Sequence, residues 1–301
     1  MHYSALSISK LRTGIMIQQL VNLFKLRIGI IMAVTAVAIL AITPGPTTPT
    51  VWQMVILALA VLLSSASAGA FNQYMERDLD KLMPRTRNRP FVTGAFSHSR
   101  WWLLSMLVLL LVGVAMAGFA LNMIAALYIF LGAVTYGVVY TVWLKRRTWL
   151  NIVIGGAAGS FAVLAGAAVV DPNLTPIPVI FAIVLFLWTP SHFWSLAIVQ
   201  HKDYAKAGVP MLPVIIGDHA TAKVILANTL ALVAISLLPI FFGLQWIYLM
   251  GAMTGGGYFL FRNIQLVRDP SPKIAMSNFF ASLIQLIVLL AFAVVDVQLL
   301  G

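Results

Sequence analysis

The chain has 301 residues, 61% of them hydrophobic and only 9% charged, with a formal net charge of +11 and no cysteine. That balance excludes an ordinary soluble domain. The missing thiols exclude disulfides, haem thioether attachment and thiolate catalysis. A basic total suits either nucleic acid or membrane topology, so the placement of the charges decides between them.

Residues 1–20 form a polar lead. Apolar stretches then recur near 24–43, 52–72, 101–120, 122–142, 150–170, 177–199, 222–243, 245–261 and 278–299. Each is about 17–25 residues long, enough to cross roughly 30 Å of hydrocarbon as a helix. None alternates as a barrel strand would, and none carries the charged stripe of a soluble amphipathic helix. The sequence therefore predicts an all-α, polytopic membrane protein with nine transmembrane helices and one domain over 1–301. The lead precedes a run of full span length, so no cleavable signal peptide is read there. Nor is the lead long and arginine- and serine-rich like an organellar presequence.

With the N-terminus cytoplasmic, the inner segments are 1–23, 73–100, 143–149, 200–221 and 262–277. Every Lys and Arg, from Lys10 and Arg12 to Arg268 and Lys273, falls in them or within about a turn of their ends. The outer loops and the C-terminus, placed outside, carry only Asp171 and Asp296. The positive charge is thus a topology signal in a lipid bilayer, and no nucleic-acid partner is read from it. Small-residue runs such as Gly155 to Ser160 allow close helix contacts.

The segment from Asn72 to Pro90 follows directly on the second apolar run and holds the densest chemistry. Asn72, Glu76 and Asp80 recur every fourth residue and line one face of a helix, about 6 Å apart in succession. Amide and carboxylate oxygens suit a hard divalent cation such as magnesium, which keeps waters and accepts phosphate oxygens. Asp78 lies off that face, free to cap, to pair with Arg77 or to meet solvent. Lys81, Arg85, Arg87 and Arg89 follow, in a stretch broken by Pro84 and Pro90. Guanidinium forks match phosphate oxygens. Acids beside bases at a lipid boundary point to a phosphorylated ligand that itself belongs to the membrane.

A second rich loop runs from Val199 to Pro213. There Asp203 can hold or share a metal, Lys202 or Lys206 can meet phosphate, and Tyr204 can donate a hydrogen bond. Lys145, Arg146 and Arg147 read as a topology anchor. Within the sixth span, His192 is costly in lipid and needs a partner or a task. It can bond a neighbouring helix through Ser191, Thr189 or a carbonyl, or contact substrate; one histidine does not make a bis-histidine haem site. Pro190 is expected to bend that helix and open room beside it.

Asn72-x-x-x-Glu76-x-x-x-Asp80 followed by Arg85-Thr-Arg-Asn-Arg-Pro90 resembles the first signature of the UbiA-type intramembrane prenyltransferases. Within that superfamily, three segments look like the protohaem IX farnesyltransferases, or haem O synthases. They are the Arg85 to Pro90 run with Gly94, Trp188 to Trp194, and Asp203-Tyr-x-x-Ala-Gly-x-Pro-Met-Leu-Pro213. Lys25 and Arg27 match the basic start of the pattern, and the resemblance covers roughly residues 20 to 295. Two departures stand out: Glu76 where the family usually has aspartate, and Lys202-Asp203 where relatives carry an acidic pair or a wider Asp-x-x-x-Asp.

The resemblance implies a UbiA-like bundle in a bacterial inner membrane, with active-site loops on the cytoplasmic side. It implies transfer of farnesyl from farnesyl diphosphate to a vinyl group of haem B, with magnesium as cofactor. Asn72, Glu76, Asp80 and Asp203 would hold metal, while Lys25, Arg27, Lys81, Arg85, Arg89 and Lys202 would meet diphosphate. His192 and Tyr204 would contact substrate, and Tyr136, Tyr140, Trp188, Phe193 and Trp194 are candidates for an aromatic chamber. Haem A synthase and oxidase assembly proteins are the implied pathway neighbours. A transporter is the rival of a different class, but its polar groups would sit near the bilayer centre.

Overall fold

The computed structural model describes residues 14, 16–45 and 48–301, so Lys10, Arg12 and most of the polar lead lie outside the described residues. Those described form helices and connecting turns, with no strand among them. In chain order they are α1 (Met16–Leu23), α2 (Leu26–Ile42), α3 (Val51–Met75), α4 (Arg77–Asp80), α5 (Pro90–Thr93), α6 (Arg100–Ala120) and α7 (Met123–Val134). A π-helical segment (Thr135–Leu144) continues α7. Then come α8 (Asn151–Val170), α9 (Pro176–Val199), α10 (His201–Lys206), α11 (Leu212–Ile216), α12 (Asp218–Ser236), a 3₁₀ turn (Leu238–Phe242), α13 (Trp246–Arg268) and α14 (Pro272–Leu300).

Seven of these helices have the length and apolarity of membrane spans, and the bent α1–α2 pair makes an eighth if it counts as one. α13 has the length, but Thr254, Arg262, Asn263, Gln265 and Arg268 dilute its apolar character. The first span differs from its expected form. Helix already begins within the supposed lead, and α1 meets α2 at 49° instead of running straight into it.

α9 is the enclosed centre of the bundle, buried along most of its length, whereas α6 buries only Met106, Gly113 and Ala117. The outward Leu104, Leu107, Val108, Leu111 and Val112 of α6 face lipid, where apolar exposure costs nothing. With no hydrophobic force to drive helix to helix in hydrocarbon, close approach and interhelical hydrogen bonds take over. Ser67 donates to the carbonyl of Met106 at 2.6 Å, Ser160 to that of Ala182 at 2.8 Å, and the Trp188 indole to that of Ser282 at 2.8 Å. Asp296 is no loose outer charge. It is buried against the start of α13, accepting from the backbone of Gln245 and Tyr248 at 2.7 and 3.0 Å.

α2 and α8 pack so closely that a Cβ on Gly166 would lie 2.1 Å from the carbonyl oxygen of Ala36. Backbone cannot yield there as a side-chain tip can. Gly166→Ala is therefore expected to push the two helices apart and cost about 1–3 kcal/mol. A clearly lowered unfolding temperature of the purified protein in detergent would show it, and an unchanged one would contradict the contact.

Candidate active site

The site collects where the C-terminal end of α3 meets the α1–α2 break and the end of the π segment. Asn72, Glu76 and Asp80 share a face, as their spacing predicts, although the helix is interrupted between them. α3 stops at Met75, and Glu76 departs from helical geometry at φ −95°, ψ 9° before α4 resumes. The hydrogen-bond register survives: Glu76 N–H donates to Asn72 O at 3.0 Å and Asp80 N–H to Glu76 O at 2.8 Å. All three side chains are buried, with residue exposures of 2%, 2% and 0%. Charge so enclosed demands partners.

Each oxygen donor has a cation on it. Lys25 Nζ donates to Asn72 Oδ1 at 2.6 Å. Lys145 Nζ donates to Glu76 Oε1 at 2.6 Å. Arg89 Nη1 donates to both oxygens of Asp80 at 2.8 and 2.7 Å. Three basic side chains thus face two carboxylates and one amide. Burial raises the Asp80 carboxyl above its ordinary range, and the Arg89 guanidinium opposes that rise. Thr86 fixes the turn between them by donating to the Asp80 carbonyl at 2.9 Å.

Lys25 reaches its position at the cost of a left-handed backbone, φ 47° and ψ 41°, rare for a residue with a side chain. α3 holds that break from two adjacent positions. Gln73 donates to the carbonyls of Asn22 and Leu23 at 2.7 and 3.2 Å, while Asn72 takes the ammonium. Gly69 leaves room, since a Cβ there would meet Lys25 Cβ at 3.2 Å and the Phe24 carbonyl at 3.3 Å.

The π segment supplies the opposite wall. At 3.6 residues per turn, positions 136 and 145 would lie roughly 180° apart on an α-helix. The wider i→i+5 turn brings Tyr136, Thr141 and Lys145 together instead. Lys25 Nζ donates to the Tyr136 hydroxyl at 2.8 Å, Asn72 Nδ2 to Thr141 Oγ1 at 3.0 Å, and Lys145 reaches Glu76. The Tyr136 and Tyr140 rings stack at 5.5 Å, with Lys145 Nζ 5.7 Å from the centre of the Tyr140 ring.

Lys145 is the correction. Its cluster with Arg146 and Arg147 reads as a topology anchor, yet Lys145 is buried in the site while Arg146 and Arg147 stay outside it. A run of three like charges conceals which one turns inward, and only the π register reveals it. Asp78 likewise pairs with Lys81 at 3.3 Å in the open, not with Arg77. Arg27, Lys81, Arg85 and Lys202 are exposed. From the second loop Tyr204 is buried; enclosure raises its phenol above the ordinary range, and the charge of Arg85 opposes the rise. Asp203 does not join Glu76 and Asp80, since among the described residues no three acidic or imidazole side chains gather closely enough to hold an ion.

His192 bonds a neighbouring helix, through a residue that the sequence does not single out. Its Nδ1 lies 2.7 Å from Ser282 Oγ on α14, and its ring is stacked between Trp188 and Phe279 at 4.2 and 4.1 Å. Ser191 and Thr189 serve Ile225 and Leu185 instead. α9 continues unbroken through Pro190. Of the aromatic candidates, Trp188 and Trp194 are buried while Phe193 points outward, 39% exposed.

The chain belongs to the UbiA prenyltransferase family, whose model matches residues 31–284, and it is therefore an intramembrane prenyltransferase. Within the family it is similar to protoheme IX farnesyltransferase 2 of Paramagnetospirillum magneticum, 58% identical over 94% of this chain and 98% of that one. Its fold is that of a digeranylgeranylglyceryl phosphate synthase (TM-score 0.76, 17% identity, 93% and 98% of the chains covered). It is equally that of a UbiA homologue from Archaeoglobus fulgidus bound to DMAPP and Mg2+ (TM-score 0.69, 18% identity, 94% and 100% covered).

Removing one member of the buried Lys145–Glu76 pair strands the other. Lys145→Met is expected to cost about 3–5 kcal/mol of stability. The double variant Lys145→Met/Glu76→Gln should lose distinctly less. Unfolding temperatures of the two single variants and the double variant check this, and simple additivity would refute the pairing.

Proposed function

We propose that this protein transfers the farnesyl group of farnesyl diphosphate to a vinyl group of haem B, releasing diphosphate and forming haem O. Its kinship with protoheme IX farnesyltransferases along nearly the whole chain supports the choice of substrates. The observation that carries the mechanism is the trio of buried oxygen donors, each held by its own cation, at one end of an apolar bundle.

The donor set fits a magnesium ion: two carboxylates and one amide oxygen are hard ligands on a single face, and they leave room in the coordination sphere for water and phosphate. Asn72, Glu76 and Asp80 would hold it. Bound there, magnesium would supply Lewis-acid neutralisation of the diphosphate as it leaves. With those oxygens engaged, Lys25, Lys145 and Arg89 would be free to meet phosphate oxygens. The exposed Arg27, Lys81, Arg85 and Lys202 would draw the anionic head in, and Tyr204 would donate a hydrogen bond from the loop.

The allylic C–O bond breaks with its electron pair going to diphosphate, which the bases stabilise as charge develops. The vinyl π electrons form the new C–C bond to the farnesyl carbon. Water then adds to the cation left on the haem side and loses a proton, giving the hydroxyethylfarnesyl group. With nine spans, a cytoplasmic N-terminus and an inner-membrane location, the basic end would face the cytoplasm. The product would feed haem A formation for terminal oxidases, with haem A synthase and oxidase assembly proteins as neighbours.

The test offers labelled farnesyl diphosphate with haem B, 4-hydroxybenzoate or a chlorin to the purified protein in magnesium. Labelled haem O is expected with haem B alone; prenylated 4-hydroxybenzoate would overturn the acceptor assignment. Asp80→Asn should lower diphosphate release by about 100-fold or more while the protein remains in the membrane. Undiminished turnover would contradict the role given to Asp80.

A further inference from the structure

Thr141 belongs to none of the motifs, yet it decides which way the Asn72 amide faces. Its Oγ1 donates to the backbone carbonyl of Tyr136 at 2.8 Å. A hydroxyl has a single proton, and a carbonyl can only accept, so the direction of that bond is settled. Oγ1 is left only lone pairs for Asn72, 3.0 Å away, and the group facing it must be the amide NH2. The far end of the amide agrees, because Lys25 is a pure donor and its Nζ lies 2.6 Å from Oδ1. Oxygen and nitrogen of an amide are alike in shape, but only oxygen binds a hard cation. An Asn72 turned the other way would present NH2 to the ion.

We propose that Thr141 is a positioning residue of the metal–diphosphate site: through its bond to Asn72 it keeps the amide oxygen turned toward the cation and the substrate head group. The inference rests on the metal reading given above. The π segment is part of the device. Tyr136 and Thr141 are five residues apart, the interval of an i→i+5 turn, so the hydroxyl meets a carbonyl of its own wide turn while Oγ1 still faces α3. Both Asn72 and Thr141 are buried, so no solvent stands ready to replace a lost bond. Outer partners of this kind are worth about 10- to 100-fold in metal affinity where they have been removed.

The experiment uses the full chain in lipid nanodiscs and a non-reactive thiodiphosphate analogue of farnesyl diphosphate, with binding measured across a magnesium titration. For the wild-type protein, tight analogue binding is expected to require magnesium. Thr141→Val keeps the side-chain shape but removes the acceptor, and should raise the magnesium needed for half-saturation about tenfold, leaving the weak metal-free binding of the analogue unchanged. Thr141→Ser retains the hydroxyl and should fall within about twofold of wild type. Thr141→Ala, which relieves any crowding, is measured beside the valine variant and should shift the same way. If valine and alanine variants both titrate within about twofold of wild type, the role assigned to Thr141 is overturned while the metal site stands. If wild-type binding is indifferent to magnesium, the metal reading falls and takes this inference with it.

Discussion

Everything at this site follows from burying two carboxylates and an amide at the end of a lipid-embedded helix. Glu76 and Asp80 are almost wholly enclosed, and an unpaired charge there would cost several kcal/mol. The protein meets that cost with a lysine and a guanidinium, and holds Asn72 with a third cation. These pairs tie α3 and its end at Glu76 to the α1–α2 break and the π segment, and α4 to the loop before α5. The resting charge balance is therefore also what positions three otherwise separate elements.

Irregular backbone concentrates at the same place. α1 breaks from α2 at 49°, Lys25 adopts a left-handed conformation, α3 yields to α4 at Glu76, and α7 widens into a π-helix. The break delivers the Lys25 ammonium and the wide turn aligns Tyr136, Thr141 and Lys145, while the three donors stay on one face despite the interruption at Glu76. Strain persists where neighbouring structure over-determines it, and here Gln73, Asn72 and Gly69 of α3 do so for the α1–α2 break.

The far half of the bundle handles polarity differently. His192, Ser282, Ser195, Asn278 and Trp188 bond across α9 and α14 with no net charge among them. These contacts resemble the ordinary glue of membrane helices. They hold α9 in the centre, so the loop that continues it, with Tyr204, can reach the charged end. The enclosure of His192 by two aromatic rings and a serine accounts for an intramembrane histidine without assigning it to an ion.

Composition and apolar run length determined that the chain is a helical membrane bundle, because a bilayer accepts few alternatives. Four-residue spacing determined that Asn72, Glu76 and Asp80 share a face, since helical geometry is local. The signatures around Arg85 and Asp203 pointed to the family for the same reason: they lie in contiguous sequence. What tertiary structure alone decided is pairing. Lys145 was indistinguishable from Arg146 and Arg147 in the sequence, and Thr141 carried no signal. Both acquire meaning from a π turn that no composition announces, facing a helix some seventy residues earlier in the chain. A period of 3.6 assumed along the chain assigns them to the wrong side, and only packing against α3 reveals the wider one.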